Sequence, residues 1–384
     1  MLSATEGPEV SVDIALADFF SGCGGTTRGF ADAGISPLLA VDWDPEAIAT
    51  FRLNFPGTPV IERDIREVGV EEVGGLLRPA SESVMLFAGC APCQPFAGHR
   101  QQPPGQDSRS FLLIEFLRFV TALNPELIFV ENVPGMQRVS ASEGPFADFV
   151  EELGRTHHVS YDTVCSADYG VPQTRRRLVL VASRLGPISL PEPTHGPATG
   201  CPRSTVREWI GSLPAIAAGQ AESGISSHRA MRLSDLNLER IRATPEGGDR
   251  RDWPDRLWPN CHRDGFNGHT DVYGRLSWDK PAPALTTRCI SYSNGRFGHP
   301  IQDRALSARE AARLQTFPPS FEFAGSLTSQ ARQIGNAVPV VLARHFGRHL
   351  VEHVALAHRV AGGDAKFRDS PGAVVSGPLT HTTA

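Results

Sequence analysis

The chain has 384 residues, 40% of them hydrophobic and 21% charged, which is typical of a soluble globular protein with one large core and a smaller second domain. The net charge of −5 is uneven: residues 1–150 carry 9 basic and 20 acidic side chains (net −11), and the remainder carries 28 and 22 (net +6), a mild excess that permits a polyanionic partner. No run approaches the roughly 20 apolar residues of a membrane span, and residues 1–11 lack the pattern of a signal peptide. These features exclude a membrane protein and give no sign of secretion.

The first predicted elements are a strand over residues 13–20, a glycine turn over residues 21–25 and a helix over residues 26–33. Glycines in such a turn let backbone amides approach a ligand at the start of the helix, as in nucleotide-binding folds. The G-x-G-x-x-G spacing of a dinucleotide-binding fingerprint is absent. The turn is therefore either a ligand cradle or a purely structural bend.

The next predicted strand, residues 38–42, ends at Asp42 and is followed directly by Trp43. Nucleoside-binding α/β folds hold ribose hydroxyls with an acid at this place, and an indole ring offers a flat face to a purine. A helix is expected over residues 45–54, and Asp64 stands just beyond a short third strand. These strand ends together predict a ligand crevice.

A continuous apolar run, residues 84–88, predicts a buried parallel strand that leads into the loop over residues 89–97. This loop carries Cys93 to the carboxyl edge of the sheet, where open α/β folds keep their sites. Prolines on both sides of the thiol stiffen the backbone. Cys93 is therefore a candidate nucleophile, with inert packing as the alternative for a buried thiol.

Residues 98–110 are polar and rich in turn-forming residues, which favours a mobile lid over a spacer. A helix over residues 111–122 and a strand over residues 126–130 follow, and the strand ends at Glu131. A carboxylate at the strand end beside that of Cys93 is a candidate catalytic acid. The alternative is an ordinary solvated glutamate.

Arginines cluster just before the last predicted strand. A helix over residues 145–154 and a strand over residues 158–166 precede this cluster, and a strand over residues 177–183 follows it. In an extended segment Arg175 and Arg177 lie on the same face. Two guanidinium groups on one face could clamp a phosphate, a carboxylate or a base carbonyl.

The character of the sequence changes at residue 186, where prolines and glycines become frequent. We predict a smaller, irregular domain over residues 186–300, with only short amphipathic pieces. A capping box of Ser307 and Glu310 then begins a helix that extends through Leu314. A turn is expected at residues 334–338, and a long helix should follow it from residue 340 to about residue 357.

The predicted organisation has five parts. They are a disordered N-terminus (1–11), an α/β domain (12–185), an irregular domain (186–300), a further ordered part (301–360) and a disordered tail rich in Gly, Ser, Thr and Pro (361–384). Seven cysteines, odd in number and scattered, indicate reduced thiols and a cytoplasmic location. No second cysteine pair stands at ligand spacing from Cys90 and Cys93, so no metal site is predicted.

Taken in order, these motifs resemble those of the cytosine-5 DNA methyltransferase family in its bacterial form. The matching segments are residues 18–25, 42–43, 64–65, 91–94, 131–133, 173–177, 304–318 and 333–339. Each motif alone is weak, whereas the ordered set is hard to obtain by chance. Thr26, Thr27, Ala91 and Ala97 depart from the commonest family pattern, and none of them removes a group with an implied catalytic role.

The resemblance implies an α/β fold with a Rossmann-like sheet, as in S-adenosylmethionine-dependent methyltransferases, and a smaller, irregular target-recognition domain. Residues 12–185 would be the catalytic and cofactor-binding domain, residues 186–300 the target-recognition domain, and residues 301–360 a return to the catalytic domain. S-adenosyl-L-methionine is the implied cofactor, with its methionine part on the glycine turn, its ribose on Asp42 and its adenine on Trp43. The implied cofactor-binding residues are Phe19, Gly22, Cys23, Gly24, Gly25, Asp42, Trp43, Asp64, Ile65, Pro92, Leu112, Asn336 and Val338.

The resemblance also implies a mechanism. Cys93 would add to carbon 6 of cytosine and so activate carbon 5 for methylation. A protonated Glu131 would contact ring nitrogen 3 and the exocyclic amine, Arg177 would orient and neutralise the base, and Arg175 would support the nucleophile region. The cytosine must leave the duplex stack to reach these groups, and the loop at residues 98–110 would close over it.

Duplex DNA is the implied partner, and a monomer is expected, with a cognate restriction endonuclease acting separately. An orphan enzyme and a phage-defence enzyme stay open as alternative roles. An RNA cytosine-5 methyltransferase on the same scaffold is the nearest alternative activity, but the long irregular region favours DNA. A Rossmann-type dehydrogenase leaves Cys93 and Glu131 without a role, and the same residues disfavour a catalytically inactive DNA-binding module.

Overall fold

Seven strands form a single sheet in the computed structural model, which describes residues 12–91, 112–134, 145–259 and 271–361. The strands are β1 (Ile14–Phe19), β2 (Ser36–Asp42), β3 (Val60–Glu62), β4 (Val84–Gly89), β5 (Leu127–Asn132), β6 (His158–Cys165) and β7 (Arg176–Ser183). Their order across the sheet is β3-β2-β1-β4-β5-β7-β6. The neighbours from β3 to β5 are parallel, and β7 is antiparallel to both β5 and β6. The predicted α/β class is confirmed.

The helices occupy the connections between strands and the C-terminal part of the described chain. They are α1 (Gly25–Ala31), α2 (Pro45–Asn54), α3 (Val70–Leu77), α4 (Leu112–Leu123), α5 (Pro145–Leu153), α6 (Val206–Ile210), α7 (Asp235–Arg242), α8 (Ala308–Leu314), α9 (Leu327–Asn336) and α10 (Val340–Ala361). The capping box predicted at the start of α8 is present, with Ser307 and Glu310 as its two members. Helices α3 and α9 are absent from the predicted set.

The turn expected at residues 334–338 is wrong in its first half, because residues 334–336 form the last turn of α9. Ser326 caps the start of this helix, and its hydroxyl accepts a hydrogen bond from the backbone N–H of Ser329 at 3.2 Å. The buried face of α9 includes the polar side chain of Gln333. The apolar residues Leu327, Ala331 and Ile334 nevertheless recur at helical spacing, so the sequence does carry a helix signal that the prediction missed.

Both faces of the sheet are buried, as continuous apolar strands require. On one face, the ring of Phe19 in β1 packs against Phe119 of α4, with ring centroids 5.0 Å apart. On the other face, Phe129 of β5 packs against Phe346 of α10 at 5.6 Å. Burial of each such ring contributes about 1.5–3 kcal/mol. The two faces hold the strand ends at fixed positions along one edge of the sheet.

The C-terminal helix α10 returns to pack against α1. A glycine at position 29 makes this approach possible, because a Cβ there would lie 2.4 Å from the Cβ of Ala343 and 2.5 Å from the carbonyl oxygen of Val340. Two helices more than 300 residues apart in sequence therefore share one face of the sheet. The residues just before α10 are thereby brought to the glycine turn.

Within the described part of residues 186–300, regular structure is limited to α6, α7 and short 3₁₀ turns. Trp253 and Tyr292 belong to a small hydrophobic cluster of this region. A larger cluster crosses residue 300 and joins the region to α8, α9 and Phe51 of α2. The predicted domain boundaries stay predictions, and the segments expected to be disordered lie outside the described residues, apart from residue 361 at the end of α10. None of the described helices is both long and apolar enough to cross a membrane.

Candidate active site

The turn between β1 and α1 has a backbone shape that favours glycine. Gly22 and Gly24 have positive φ angles of 53° and 94°. A Cβ on Gly24 would lie 2.6 Å from the ring of Phe55, and a Cβ on Gly25 would lie 2.7 Å from the carbonyl oxygen of Val338. The turn therefore fits closely between α2 and residue 338. The first and last of the predicted cofactor motifs meet here.

Asp42, at the end of β2, is tied to this turn. Its carboxylate accepts hydrogen bonds from the backbone N–H groups of Gly22 at 2.7 Å, Trp43 at 2.8 Å and Asp44 at 2.9 Å. Burial raises the pKa of Asp42, and these three bonds oppose the rise. The indole of Trp43 is 68% exposed beside it. The structure thus brings Asp42, Trp43 and the glycine turn together, as predicted for a ligand crevice.

Other predicted cofactor residues differ in accessibility. Asp64 is half-buried and accepts hydrogen bonds from the backbone N–H of Arg66 at 3.0 Å and from its Nε at 2.9 Å. The bonds from Arg66 lower the pKa of Asp64. Ile65 is buried, Leu112 is half-buried, and Asn336 is exposed at the end of α9. Asp64 would therefore have to share its carboxylate between Arg66 and a ligand.

The side chains of Phe19 and Cys23 point into the core. The Phe19 ring is 0% exposed and lies 5.2 Å from that of Phe87, measured between centroids. The Cys23 Sγ lies 3.8 Å from the carbonyl oxygen of Gln333, and burial raises the pKa of this thiol to about 12. Any contact of these two residues with a cofactor would therefore come from their backbone.

Gln333, the first residue of the last matching segment, anchors α9 against α2, a contact that was not predicted. Thr50 Oγ1 donates to Gln333 Oε1 at 2.6 Å, and Gln333 Nε2 donates to the carbonyl oxygen of Ala324 at 3.2 Å. On the surface, Arg332 pairs with Asp44 at 2.9 Å. These bonds join the helix that follows Asp42 to the helix that ends at residue 336. The wall of the crevice is therefore held together by contacts that no local sequence pattern reveals.

Glu131 and Arg177 form an ion pair at the same edge of the sheet. Arg177 Nε lies 3.0 Å from Glu131 Oε1, and the two side chains are 15% and 9% exposed. Apart from this pair, Glu131 Oε1 is a buried atom without a hydrogen-bond partner among the described residues. Buried charges in native proteins are paired, and Arg177 supplies the partner of Glu131. Glu131 is therefore not the ordinary solvated glutamate of the alternative interpretation.

Asn132 connects this pair to the predicted nucleophile loop. Its Nδ2 donates to the carbonyl oxygen of Ala91 at 3.2 Å, and its Oδ1 accepts from the backbone N–H of Val133 at 2.8 Å. Pro92 and Cys93, which follow Ala91, lie outside the described residues, as does the predicted lid. The chain therefore enters the nucleophile loop from a residue that is fixed to the end of β5.

The prediction that Arg175 and Arg177 clamp one group together is wrong. Arg175 Nη1 donates to the carbonyl oxygens of Leu285 at 2.9 Å and Gly335 at 3.2 Å, whereas Arg177 pairs with Glu131. The physical reason is the path of the backbone before β7. The segment that contains Arg175 runs alongside Ala282, and the backbone N–H of Thr174 donates to the carbonyl oxygen of Ala282 at 2.8 Å. The role of Arg175 in supporting the nucleophile stays a proposal.

A buried carboxyl group lies beneath the glycine turn and was not singled out in the sequence. Asp18 is 1% exposed and accepts a hydrogen bond from Thr27 Oγ1 at 2.6 Å. Burial raises the pKa of Asp18 to about 7. Thr26 Oγ1 lies 3.7 Å from the Cys90 Sγ. The two threonines that depart from the family pattern thus serve as polar partners, a role that their hydroxyls could have indicated, since buried hydroxyls need partners.

Arg288 differs from most arginines of the irregular region. Arg256, for example, pairs with Glu239 at 2.5 Å. Arg288 is exposed, and among the described residues its side chain makes no ion pair and forms one long hydrogen bond, 3.5 Å to Asn294 Oδ1. It follows residues 282–285, which lie against the segment leading into β7. An exposed guanidinium near the site is thus available to a polyanion.

Comparison with protein-family models matches residues 14–352 to the C-5 cytosine-specific DNA methylase family. The chain is 42% identical over 343 residues to the type II methylase M.HgiDII of Herpetosiphon aurantiacus, which covers 88% of this chain and 94% of that protein. It is 34% identical over 339 residues to the type II methyltransferase M1.HphI of Haemophilus parahaemolyticus, covering 87% of this chain and 85% of that protein.

Among solved structures, a DNA modification methyltransferase encoded within an Escherichia coli prophage superposes with a TM-score of 0.69 at 23% identity, covering 89% of this chain and 99% of that chain. A likeness at this identity shows the fold, and the predicted Rossmann-like methyltransferase sheet is confirmed. The family match extends from β1 into α10 and includes the glycine turn, Asp42, Glu131 and Arg177. The predicted family and enzyme class are thus confirmed: the chain belongs to the C-5 cytosine-specific DNA methylase family, with bacterial type II methylases among its relatives.

Proposed function

We propose that the protein transfers the methyl group of S-adenosyl-L-methionine to carbon 5 of a cytosine in a specific duplex DNA sequence. The base would be flipped out of the helix and bound covalently by Cys93. The observation that carries this proposal is the buried Glu131–Arg177 ion pair at the carboxyl end of β5. The pair lies at the sheet edge that also carries the glycine turn and Asp42, so a base and a cofactor could meet between them.

Three features of the crevice support S-adenosyl-L-methionine as the cofactor. Asp42 accepts three backbone N–H groups, and a carboxylate offers about four acceptor positions, so one remains for a ribose hydroxyl. The exposed indole of Trp43 leaves a flat face open to adenine. The close glycine turn lets backbone amides approach the methionine part. When bound, the cofactor would supply an electrophilic methyl group.

The remaining cofactor contacts are proposed from the resemblance. Asp64, Ile65, Leu112, Pro92, Asn336 and Val338 would complete the crevice. Asn336 is exposed at the end of α9, and Val338 lies against the glycine turn. Phe19 and Cys23 would contribute backbone contacts only, since their side chains are buried.

The chemistry would begin at Cys93. Its thiolate would add to carbon 6 of cytosine and turn carbon 5 into the nucleophilic carbon of an enamine. Glu131 would hold a proton at ring nitrogen 3 and accept a hydrogen bond from the exocyclic amine, while Arg177 would orient Glu131 and balance the charge of the base. Once carbon 5 carries the methyl group, loss of its proton to water lets the bond between sulfur and carbon 6 break. Cys93 is then released as a thiolate.

The DNA would lie across the carboxyl edge of the sheet, with residues 186–300 reading its sequence. A target carbon inside the stack can be reached only if the base is flipped out. Arg288 would contact a backbone phosphate near the flipped base, because it is exposed and unpaired among the described residues. Swapping residues 186–300 for those of a relative should then change the methylated sequence while leaving cofactor affinity alone.

The relatives support a proposal about the biological setting. Those reported above are type II methylases, which supports a restriction endonuclease, acting separately, as the partner in the same system. The monomeric state and the cytoplasmic location stay predictions. The RNA alternative makes a different prediction about substrate, so one assay with both nucleic acids separates the two activities.

The proposal is tested by incubating the protein with labelled S-adenosyl-L-methionine and unmethylated duplex DNA of many sequences, followed by identification of the modified base. We expect 5-methylcytosine with the native protein and none with Cys93→Ala. Cys201→Ala serves as the matched control, because Cys201 is an exposed cysteine of the irregular region. Labelling of RNA but not of duplex DNA would favour the RNA alternative.

A further inference from the structure

Two buried glutamines connect the segment before β7 to the end of α9. Leu285 N–H donates to Gln173 Oε1 at 2.8 Å, and Gln173 Nε2 donates to Gln315 Oε1 at 2.9 Å. Gln315 Nε2 in turn donates to the carbonyl oxygens of Ile334 at 2.6 Å and Ala337 at 3.1 Å. Both glutamine side chains are 0% exposed. An uninterrupted chain of hydrogen bonds therefore runs from residue 285 to the end of α9.

Arg175 reinforces the same junction. Its Nη1 bridges the carbonyl oxygens of Leu285 and Gly335, and its side chain is buried. The last carbonyls of a helix have no partner within the helix, and a guanidinium there also interacts favourably with the helix dipole. Gln315 and Arg175 together satisfy the carbonyls of residues 334, 335 and 337. The end of α9 is thus held by side chains from outside the helix.

The residues at this junction belong to different parts of the proposed site. Asn336 and Val338 stand among the capped carbonyls and belong to the proposed cofactor crevice. Arg177 follows Arg175 by two residues and pairs with Glu131. Leu285 precedes the segment that carries Arg288 towards the DNA. The hydrogen-bonded glutamines therefore contact segments that lead to the proposed cofactor crevice, to the Glu131–Arg177 pair and to Arg288.

We propose that Gln173 and Gln315 are positioning residues for methyl transfer, which hold the cofactor-binding end of α9 in register with the arginine segment at residues 173–177. The inference rests on the proposed function, since it requires that Asn336 and Val338 meet the adenosyl cofactor. A primary amide suits this task because it donates and accepts hydrogen bonds at the same time. Each glutamine can therefore accept from one group and donate to the next. An apolar side chain of similar length breaks the chain and leaves buried partners unsatisfied.

The test compares Gln315→Met with Gln330→Met. Gln330 Nε2 also donates to two backbone carbonyls, those of Phe323 at 3.2 Å and Gly325 at 3.3 Å, but it does so at the start of α9. The dissociation constant of S-adenosyl-L-methionine is measured by calorimetry on the full chain without DNA. We expect Gln315→Met to weaken binding about tenfold, because the bonds it loses are buried, and Gln330→Met to stay within about twofold of the native value.

A second variant separates positioning from folding. Gln173→Met leaves the carbonyls of α9 bonded to Gln315 and should also weaken cofactor binding, and the double variant should be weaker by less than the product of the two effects. Thermal unfolding identifies which variants are folded, and Gln173→Met is used if Gln315→Met is not. Native affinity in a folded Gln173→Met or Gln315→Met protein, or equal weakening in Gln330→Met, overturns the inference. If the native protein binds no S-adenosyl-L-methionine, the proposed function fails instead.

Discussion

Removal of Arg177 tests the electrostatics of the site quantitatively. In the native protein the Glu131 side chain is 9% exposed, and the Arg177 guanidinium lies 3.0 Å from its Oε1. The variant Arg177→Met removes this guanidinium. Breaking a fully buried ion pair costs about 3–5 kcal/mol. Because the Arg177 side chain is 15% exposed, water can partly solvate the remaining carboxylate, and we expect the free energy of unfolding to fall by about 2–3 kcal/mol. Glu131→Gln keeps an acceptor oxygen and should cost about 1 kcal/mol.

The same two strands offer a matched control pair. Arg184 and Glu126 form an ion pair at the opposite end of β7 and β5, with side chains 32% and 26% exposed. A pair this open to solvent is worth about 0–1 kcal/mol. Double-mutant cycles by urea unfolding, with Arg→Met and Glu→Gln in each pair, therefore compare the coupling energy of a buried Arg–Glu ion pair with that of a more exposed one.

Activity separates the two pairs further. Glu131→Gln should lower the turnover of methyl transfer by about 100-fold or more, the range for loss of a group that moves a proton. Arg177→Met should lower turnover as well, because Glu131 loses the guanidinium that orients it. The Arg184 and Glu126 variants should leave turnover unchanged, because these side chains lie at the edge of the sheet away from the crevice. A coupling energy no larger at Glu131–Arg177 than in the control pair, or normal turnover in Glu131→Gln, would refute the reasoning.

Two further predictions concern DNA binding and pH. Arg288→Ala should weaken duplex DNA binding, measured by fluorescence anisotropy, and reduce the slope of log affinity against log salt by about 1. Arg256→Ala should change neither the affinity nor the slope, because Arg256 is paired with Glu239. An unchanged slope in Arg288→Ala contradicts the proposed contact. Asp18→Asn should flatten the pH dependence of stability: burial raises the pKa of Asp18 from 3.8 to about 7, so the folded state binds the extra proton and the free energy of unfolding falls as pH rises through this window. Urea unfolding at about pH 5 and about pH 8 checks this, and an equal fall in the native and Asp18→Asn proteins rules out Asp18 as the cause.

Most of the sheet could be predicted because its strands carry their own signals. The apolar runs before Asp42 and Glu131 are continuous and end in polar residues, so both their type and their strand-end location follow from local sequence. The glycine turn was recognisable because three glycines stand within five residues directly after the first strand. Close approach to Phe55 and to residue 338 explains afterwards why glycine is needed there.

The failures occur where buried polar side chains bond to distant backbone. Helix α9 was missed although Leu327, Ala331 and Ile334 lie at helical spacing. What the sequence does not show is how its buried Gln333 is satisfied, since the partners of this amide come from α2 and from residues 324 and 329. Arg175 was assigned to a joint clamp because strand alternation places it beside Arg177. Its actual partners, the carbonyls of residues 285 and 335, are set by tertiary packing. The alternation of side chains along a strand carries no information about such packing.

The central claim, a covalent bond between Cys93 and the target base, is tested most directly by trapping it. Duplex DNA in which 5-fluorocytosine replaces cytosine keeps its fluorine after methylation, so carbon 5 has no proton to lose and Cys93 cannot be released. With S-adenosyl-L-methionine present, mass spectrometry of the digested complex should find a methylated fluorocytosine attached to the peptide that contains Cys93, and Cys201→Ala should give the same product. Methylation of carbon 5 in ordinary duplex DNA by Cys93→Ala would contradict the account.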